Sequence, residues 1–150
     1  MAIDPALVGK TYPPGRVYEV GREKIREFAD AIGDPNPAYR DPEAAKAYGH
    51  PDVVAPPTFP IVFSFGATDH LIEDPSFNFA LHRLLHGEQR FSYNRPIVAG
   101  DRLVSTLSVT GIRKARDMDV VSSRTDITTE EGELVCTTYS TLFHRPEESA

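Results

Sequence analysis

The chain has 150 residues, 40% hydrophobic and 25% charged, with a net charge of −6. That is the length of one domain with enough apolar material for a core. The acidic balance argues against a general nucleic-acid or anionic-membrane binder.

A single cysteine, Cys136, rules out an internal disulfide framework and fits a reducing compartment. Its place in an apolar strand pattern makes it a small core residue. The opening MAIDPALVGK lacks the basic start and apolar run of an export signal, so a cytoplasmic location is expected.

Met1 to Pro14 reads as an irregular lead-in and Arg16 to Val20 as a short strand. From Arg22, Ile25, Phe28, Ala29 and Ile32 recur at helical spacing with charges between them, and Gly33 is a natural stop before Asp34-Pro35. Gly33 to Phe59 is too rich in proline for regular structure, except for a short helix to about Tyr48. That helix opens with Asp41 as cap, Pro42 and Glu43.

The stretch VVAPPTFPIVFSFGAT, Val53 to Thr68, contains no charge. Phe59, Ile61, Val62, Phe63, Phe65 and Ala67 fall on every side of a helix, the pattern of a buried one. With Thr58 as N-cap and Pro60 in the first turn, this predicts a central helix over Phe59 to Ile72, too short and proline-interrupted to cross a bilayer.

Glu73 to Asn78 is a polar turn, and strands follow at Leu84–Tyr93, Arg102–Ile112, Val120–Thr128 and Leu134–Phe143. Pro96–Asp101, Arg113–Asp119 and Glu130–Gly132 are the turns between them, and Arg145–Ala150 a frayed tail. The order predicts an α+β fold in which an antiparallel meander wraps a long central helix, the hot-dog architecture. Such a sheet leaves an edge open, which a second chain would cover as a dimer.

Three ordered motifs carry a family resemblance. FADAIGDPNP, Phe28 to Pro37, followed by Asp41-Pro42 and Ala45, resembles the signature of the MaoC-like (R)-specific hydratases and dehydratases. PIVAGDRL, Pro96 to Leu103, resembles the family's turn into a strand. HGEQRF, His86 to Phe91, is similar to the N-terminal-type domain of HadA-like subunits of 3-hydroxyacyl-ACP dehydratase.

The resemblance implies a hot-dog fold, a 3-hydroxyacyl or trans-2-enoyl thioester of CoA or ACP as ligand, and no metal or cofactor. In the family pattern an aspartate is followed five residues later by a histidine that exchanges the α-proton. Here those positions are Asp34 and Tyr39, with Asn36 between. A phenol of ordinary pKa about 10 is a poor base at neutral pH. The family glycine that opens the central helix, and whose N–H holds the thioester carbonyl, is matched by Pro57, which has no N–H. Thr58 or Phe59 could supply the donor instead.

The resemblance also brings His86 and Gly87 into the substrate-binding set. Arg113, Lys114 and Arg116 form a basic cluster for which a charged hairpin tip is the default explanation, and a contact for carrier phosphates or an acidic carrier protein the sharper one. Asp34 and Asn36 also suit ordinary Asx turns, and His50, beside Asp52, is a spare histidine.

Three functions are consistent with these residues. One is a non-catalytic substrate-binding subunit pairing with a MaoC-like chain that carries the intact Asp/His pair. The second is a self-sufficient hydratase with a substitute base such as His86, and the third a stand-alone acyl-thioester or lipid binder.

Overall fold

A computed structural model describes residues 3–147. The elements are β1 (Tyr18–Glu19), α1 (Arg22–Ala31), α2 (Pro42–Ala47), α3 (Ile61–Glu73), β2 (Leu84–Tyr93), β3 (Arg102–Ala115), β4 (Met118–Thr129) and β5 (Leu134–His144). The strands form one antiparallel sheet in the order β1-β3-β4-β5-β2. The sheet curls round α3 in the hot-dog arrangement expected.

Only β3, β4 and β5 meander. β2 joins the free side of β5, so the Asn94–Asp101 link must carry the chain from one flank of the sheet to the other. A bridge between Val54 and Val98 pins that link beneath the approach to α3.

The core lies between α3 and the inward face of the sheet. Phe59, Ile25, Leu103, Ile127 and Val135 fill one part, and Leu71, Leu107, Val109, Val121 and Leu142 the other. Cys136 is buried in the first part, and burial pushes its thiol up to about 11.

Helix α1 ends as Gly33 requires. With φ +72 at Gly33, its N–H donates to the Asp30 carbonyl and that of Asp34 to Ala29, the paired bonds of a Schellman stop. Ile32, expected on the apolar face, is the C-cap and is exposed.

Several boundaries differ from the sequence expectation. The central helix begins at Ile61, not Phe59, and Thr58 makes no side-chain cap. Phe59, Ile61 and Val62 donate to the carbonyls three residues back, a tighter turn than an α-helix, because Pro60 has no N–H and restricts the residue before it.

The first strand keeps only Tyr18–Glu19 of Arg16–Val20. The lead-in is less irregular than expected: Pro5–Leu7 form a 3₁₀ turn, and Gly9, Tyr12 and Gly15 donate to Val109, Leu107 and Ser105 of β3. That covers the outer side of β3 and leaves β2 as the open edge.

The Arg113–Asp119 hairpin tightens to a two-residue turn at Arg116-Asp117, with Arg113 and Lys114 inside β3. The tail is held through Pro146, whose carbonyl accepts from Arg83 Nη1. Met1, Ala2 and Glu148 to Ala150 lie outside the described residues. No helix among those described is long and apolar enough to cross a membrane.

Burial of α3 is one-sided. Ser64, Ala67, Thr68 and Leu71 are buried, whereas Phe65 is 40% exposed beside the His86 ring of the edge strand. Leu85 on that strand is 66% exposed. The expectation of a helix buried all round holds for a single chain only on its sheet-facing side.

Candidate functional site

The long proline-rich connection folds against the end of β2 and leaves a cleft of about 670 Å³. Its lining includes Asn36, Tyr39, Tyr48, His50, Pro57, Tyr93 and Arg95. Each arrives by a local device. Asp34 Oδ1 accepts the Asn36 N–H at 3.1 Å, and Asn36 Oδ1 accepts the Ala38 N–H at 3.0 Å, capping the Pro37–Tyr39 turn. The Arg40 guanidinium donates to Asp30 at 2.6 Å and ties this turn to α1. Arg22 holds Asp52 through two hydrogen bonds of 2.9 and 2.8 Å, fixing the segment beside His50.

Asp34 and Asn36 therefore use acceptor oxygens as turn formers, the simpler of their two sequence readings. Asp34 is not in the cleft lining, whereas Asn36 is, and is exposed.

Tyr39 is buried among Val53, Ala55 and their neighbours. Burial first, and the nearby Asp34 charge second, raise its phenol above the ordinary tyrosine value. A group already too weakly acidic to act as a base at neutral pH is shifted further from that role.

The start of α3 separates three adjacent residues. Pro57 lines the cleft. Its carbonyl accepts the Tyr93 hydroxyl at 2.6 Å, and burial raises the Tyr93 phenol too.

Phe59 is a correction to the expected substrate-binding set: it is fully buried, packed edge-on against Phe28, and its N–H is committed to the Pro56 carbonyl. A large apolar ring between the Pro56-Pro57 pair and Pro60 is held by the tight turn against the core. Thr58 is exposed, and its N–H makes no hydrogen bond among the described residues. Of the two donors considered from sequence, only Thr58 has a proton to offer.

Other expected residues lie elsewhere. His86 is exposed on β2, 3.1 Å from Gln89, and is not in the cleft. Gly87 is outside it too; a Cβ there would run into the Phe143 ring, and the glycine lets that ring lie across the β2 bulge. Arg113, Lys114 and Arg116 stand at the opposite end of the sheet, and Lys114 is paired with buried Asp119 at 2.7 Å. A ten-residue strand spans roughly 30 Å, so this cluster does not reach the chain's own cleft.

His50 is in the lining, half-buried, and its ring has no hydrogen-bond partner among the described residues. Tyr48, Tyr93 and Arg95 were not expected from sequence. Tyr93 carried a faint signal, sharing a strand face with Phe91. Arg95 carried none, since its role depends on two hydrogen bonds to Asp101, at 2.9 and 3.0 Å, and one to Glu133 at 2.8 Å.

Comparison with known proteins follows this geometry. The family model described as "FAS1-like, dehydratase domain region" matches residues 6–138. A UPF0336 protein of Streptomyces coelicolor is 51% identical over 150 residues, covering 100% of both chains. One of Saccharopolyspora erythraea is 52% identical over 145 residues, covering 97% of this chain and 93% of that one.

Among solved structures, a MaoC-like dehydratase is similar with TM-score 0.86 and 34% identity over 93% of this chain, which spans only 42% of that longer one. The HadBC (3R-hydroxyacyl-ACP dehydratase) complex of Mycobacterium tuberculosis is similar with TM-score 0.82 and 30% identity, covering 91% of this chain and 96% of that one.

Proposed function

The chain belongs to the FAS1-like dehydratase family, with the MaoC-like hot-dog fold, and on that premise we propose that it is the non-catalytic, substrate-binding subunit of a heteromeric (3R)-hydroxyacyl-thioester dehydratase. Relatives of the dehydratase kind support a role in hydration and dehydration. The observation that carries the finer reading is Tyr39, a buried phenol shifted upward in pKa at the position where proton exchange needs a base.

The second departure agrees, since Pro57 offers the cleft no N–H where a thioester carbonyl becoming an enolate would need one. The cleft retains what binding requires: a concave space with apolar walls and a few polar groups at the rim. The partner is a MaoC-like chain with an intact Asp/His pair, docked where β2 and Phe65 are uncovered. A heteromeric relative, the HadBC complex, is a precedent for such pairing.

One observation favours a second reading. His50 shares the cleft with Tyr39 and Asn36, so a chain active by itself would use His50 as its base, not the distant His86.

Hydration of a short trans-2-enoyl-CoA by the purified chain tests both readings. Negligible turnover alone, with activity appearing when the sister subunit is added, is expected. Turnover alone at about 1–10³ per second, lost in His50→Ala, would replace the first reading by the second.

A further inference from the structure

The polar groups of the cleft wall divide by whether they already have partners. Tyr93 gives its hydroxyl proton to the Pro57 carbonyl, and the Asn94 amide donates to the Leu134 carbonyl at 3.0 Å. Arg95 commits its guanidinium to Asp101, Glu133 and the Pro96 carbonyl. Asn36 is exposed and Tyr48 is 69% exposed, so water serves the polar atoms left free on them.

Tyr39 differs from all of these. The residue is only 9% exposed, and its hydroxyl makes no hydrogen bond among the described residues. That oxygen is not sealed inside the protein either. The enclosed side-chain polar atoms without partners, among the described residues, are Asp119 Oδ2 and His144 Nδ1. The hydroxyl is therefore the part of a buried ring that meets the cleft.

The ring is held before any ligand arrives. The Tyr39 N–H donates to the Asn36 carbonyl at 3.2 Å, the Ala38 carbonyl accepts the Val54 N–H at 3.1 Å, and Val53 and Ala55 belong to the same core cluster. A donor fixed in place without an acceptor costs the fold stability. A ligand that brings the acceptor removes that cost, with little ordering left to do.

The kind of acceptor follows from the surrounding charges. The Asp34 carboxylate is close enough to help raise the phenol's pKa, so the proton stays on the oxygen and an anion placed there would be repelled. Arg95 in the lining is already neutralised by two carboxylates. A free carboxylate or phosphate thus finds no counter-charge at Tyr39, whereas a neutral carbonyl oxygen needs only a donor. The helix start does not supply one to the lining: Pro57 has no N–H, and Thr58 is exposed and outside it.

On the reading of the cleft as a thioester site, we propose that Tyr39 is the hydrogen-bond donor that recognises the thioester carbonyl, standing where the family pattern has a base and making the contact that Pro57 cannot. A phenol that keeps its proton polarises a carbonyl but does not take the α-proton. The residue that silences the cleft as a catalyst is then the one that retains the ligand in it.

Tyr39→Phe, which removes the oxygen and keeps the ring, tests this against two ligands. One is trans-2-butenoyl-CoA carrying ¹³C at the carbonyl, and the other is the thioether S-(2-butenyl)-CoA, which lacks that oxygen. Isotope-edited infrared spectra are expected to place the bound carbonyl stretch at lower wavenumber in the parent protein than in Tyr39→Phe. Calorimetry is expected to show thioester affinity falling about tenfold in Tyr39→Phe, with thioether affinity unchanged. Thermal unfolding of the free protein should not be lowered, because the hydroxyl has no partner to lose.

A carbonyl stretch that does not move, an unchanged thioester affinity, or equal weakening of both ligands overturns the contact and leaves the cleft reading standing. A clear drop in unfolding temperature would reveal a partner for the hydroxyl inside the protein, and overturns it too. A parent protein that does not bind the thioester overturns the reading of the cleft itself.

Discussion

Putting a base back at position 39 and a donor back at position 57 tests whether these two residues silence the cleft. Tyr39→His exchanges a buried phenol for a smaller imidazole within the Val53 and Ala55 neighbourhood. At about 25 cal/mol per Å² of apolar surface, the lost ring area costs on the order of 1 kcal/mol, which a typical domain tolerates. Pro57→Gly alters the backbone only before the helix, and the Tyr93 hydroxyl can still donate to the residue-57 carbonyl, now bonded at 2.6 Å. A positioned base contributes about 10²–10⁴ in rate and an oxyanion donor about 10²–10³. Tyr39→His alone, with only the Thr58 N–H free nearby, should hydrate trans-2-butenoyl-CoA weakly, and Pro57→Gly alone not at all. The double variant should exceed Tyr39→His by about 10²-fold, more than the product of the single effects, because base and donor act as a unit. The assay is steady-state hydration by protein whose thermal unfolding is unchanged within a few degrees. A folded double variant no faster than Tyr39→His would refute the argument from Pro57.

Further expectations concern the scaffold around the cleft. Phe59→Ala should lower stability by about 3–5 kcal/mol in denaturant unfolding, since the fully buried ring supports Phe28 and Phe63 together. Tyr93→Phe should cost about 1 kcal/mol through loss of its bond to the Pro57 carbonyl, and should weaken thioester binding without unfolding the chain. Gly87→Ala should cost about 1–3 kcal/mol, because the Phe143 ring must leave the β2 bulge; a neutral result would show that the ring moves freely. His144 is 4% exposed and accepts the Ala80 N–H on Nε2 at 2.9 Å, and burial foremost depresses its pKa. Its neutral form is the native one, so its contribution is complete above the unfolded value of about 6.5. That contribution is lost as pH falls from there toward the lower folded value, by at most about 1.4 kcal/mol per pH unit. His144→Asn should flatten this acid limb in pH-dependent unfolding.

What the sequence made legible follows from how local each cause is. The Ile25, Phe28 and Ala29 stripe, the Gly33 stop and the Asp41 cap act within a turn or two, and each appears where its spacing puts it. The alternation of β3 revealed a strand for the same reason, but not that β2 would bypass β3 to join β5, since periodicity records a face and not a neighbour. The cleft was half legible. Asn36, Tyr39 and Pro57 lie on one connection whose motif drew attention to them, whereas Tyr93 and Arg95 reach it from 36 or more positions away through the Val54–Val98 bridge and the bond to Pro57. Phe59 goes into the core because a linear motif cannot say which of several adjacent residues a tight proline turn buries, and His86 stands exposed on β2, away from that turn and from the cleft. The charge-free pattern of α3 was accurate in a different sense. It predicts burial on all sides, and one chain supplies only the sheet-facing side, leaving Phe65 and Leu85 in solvent. A surface patterned for burial next to an unpaired strand is more economically read as an interface than as a flaw in the helix. The mismatch between the sequence of α3 and its exposure is thus an independent physical reason to look for the second chain.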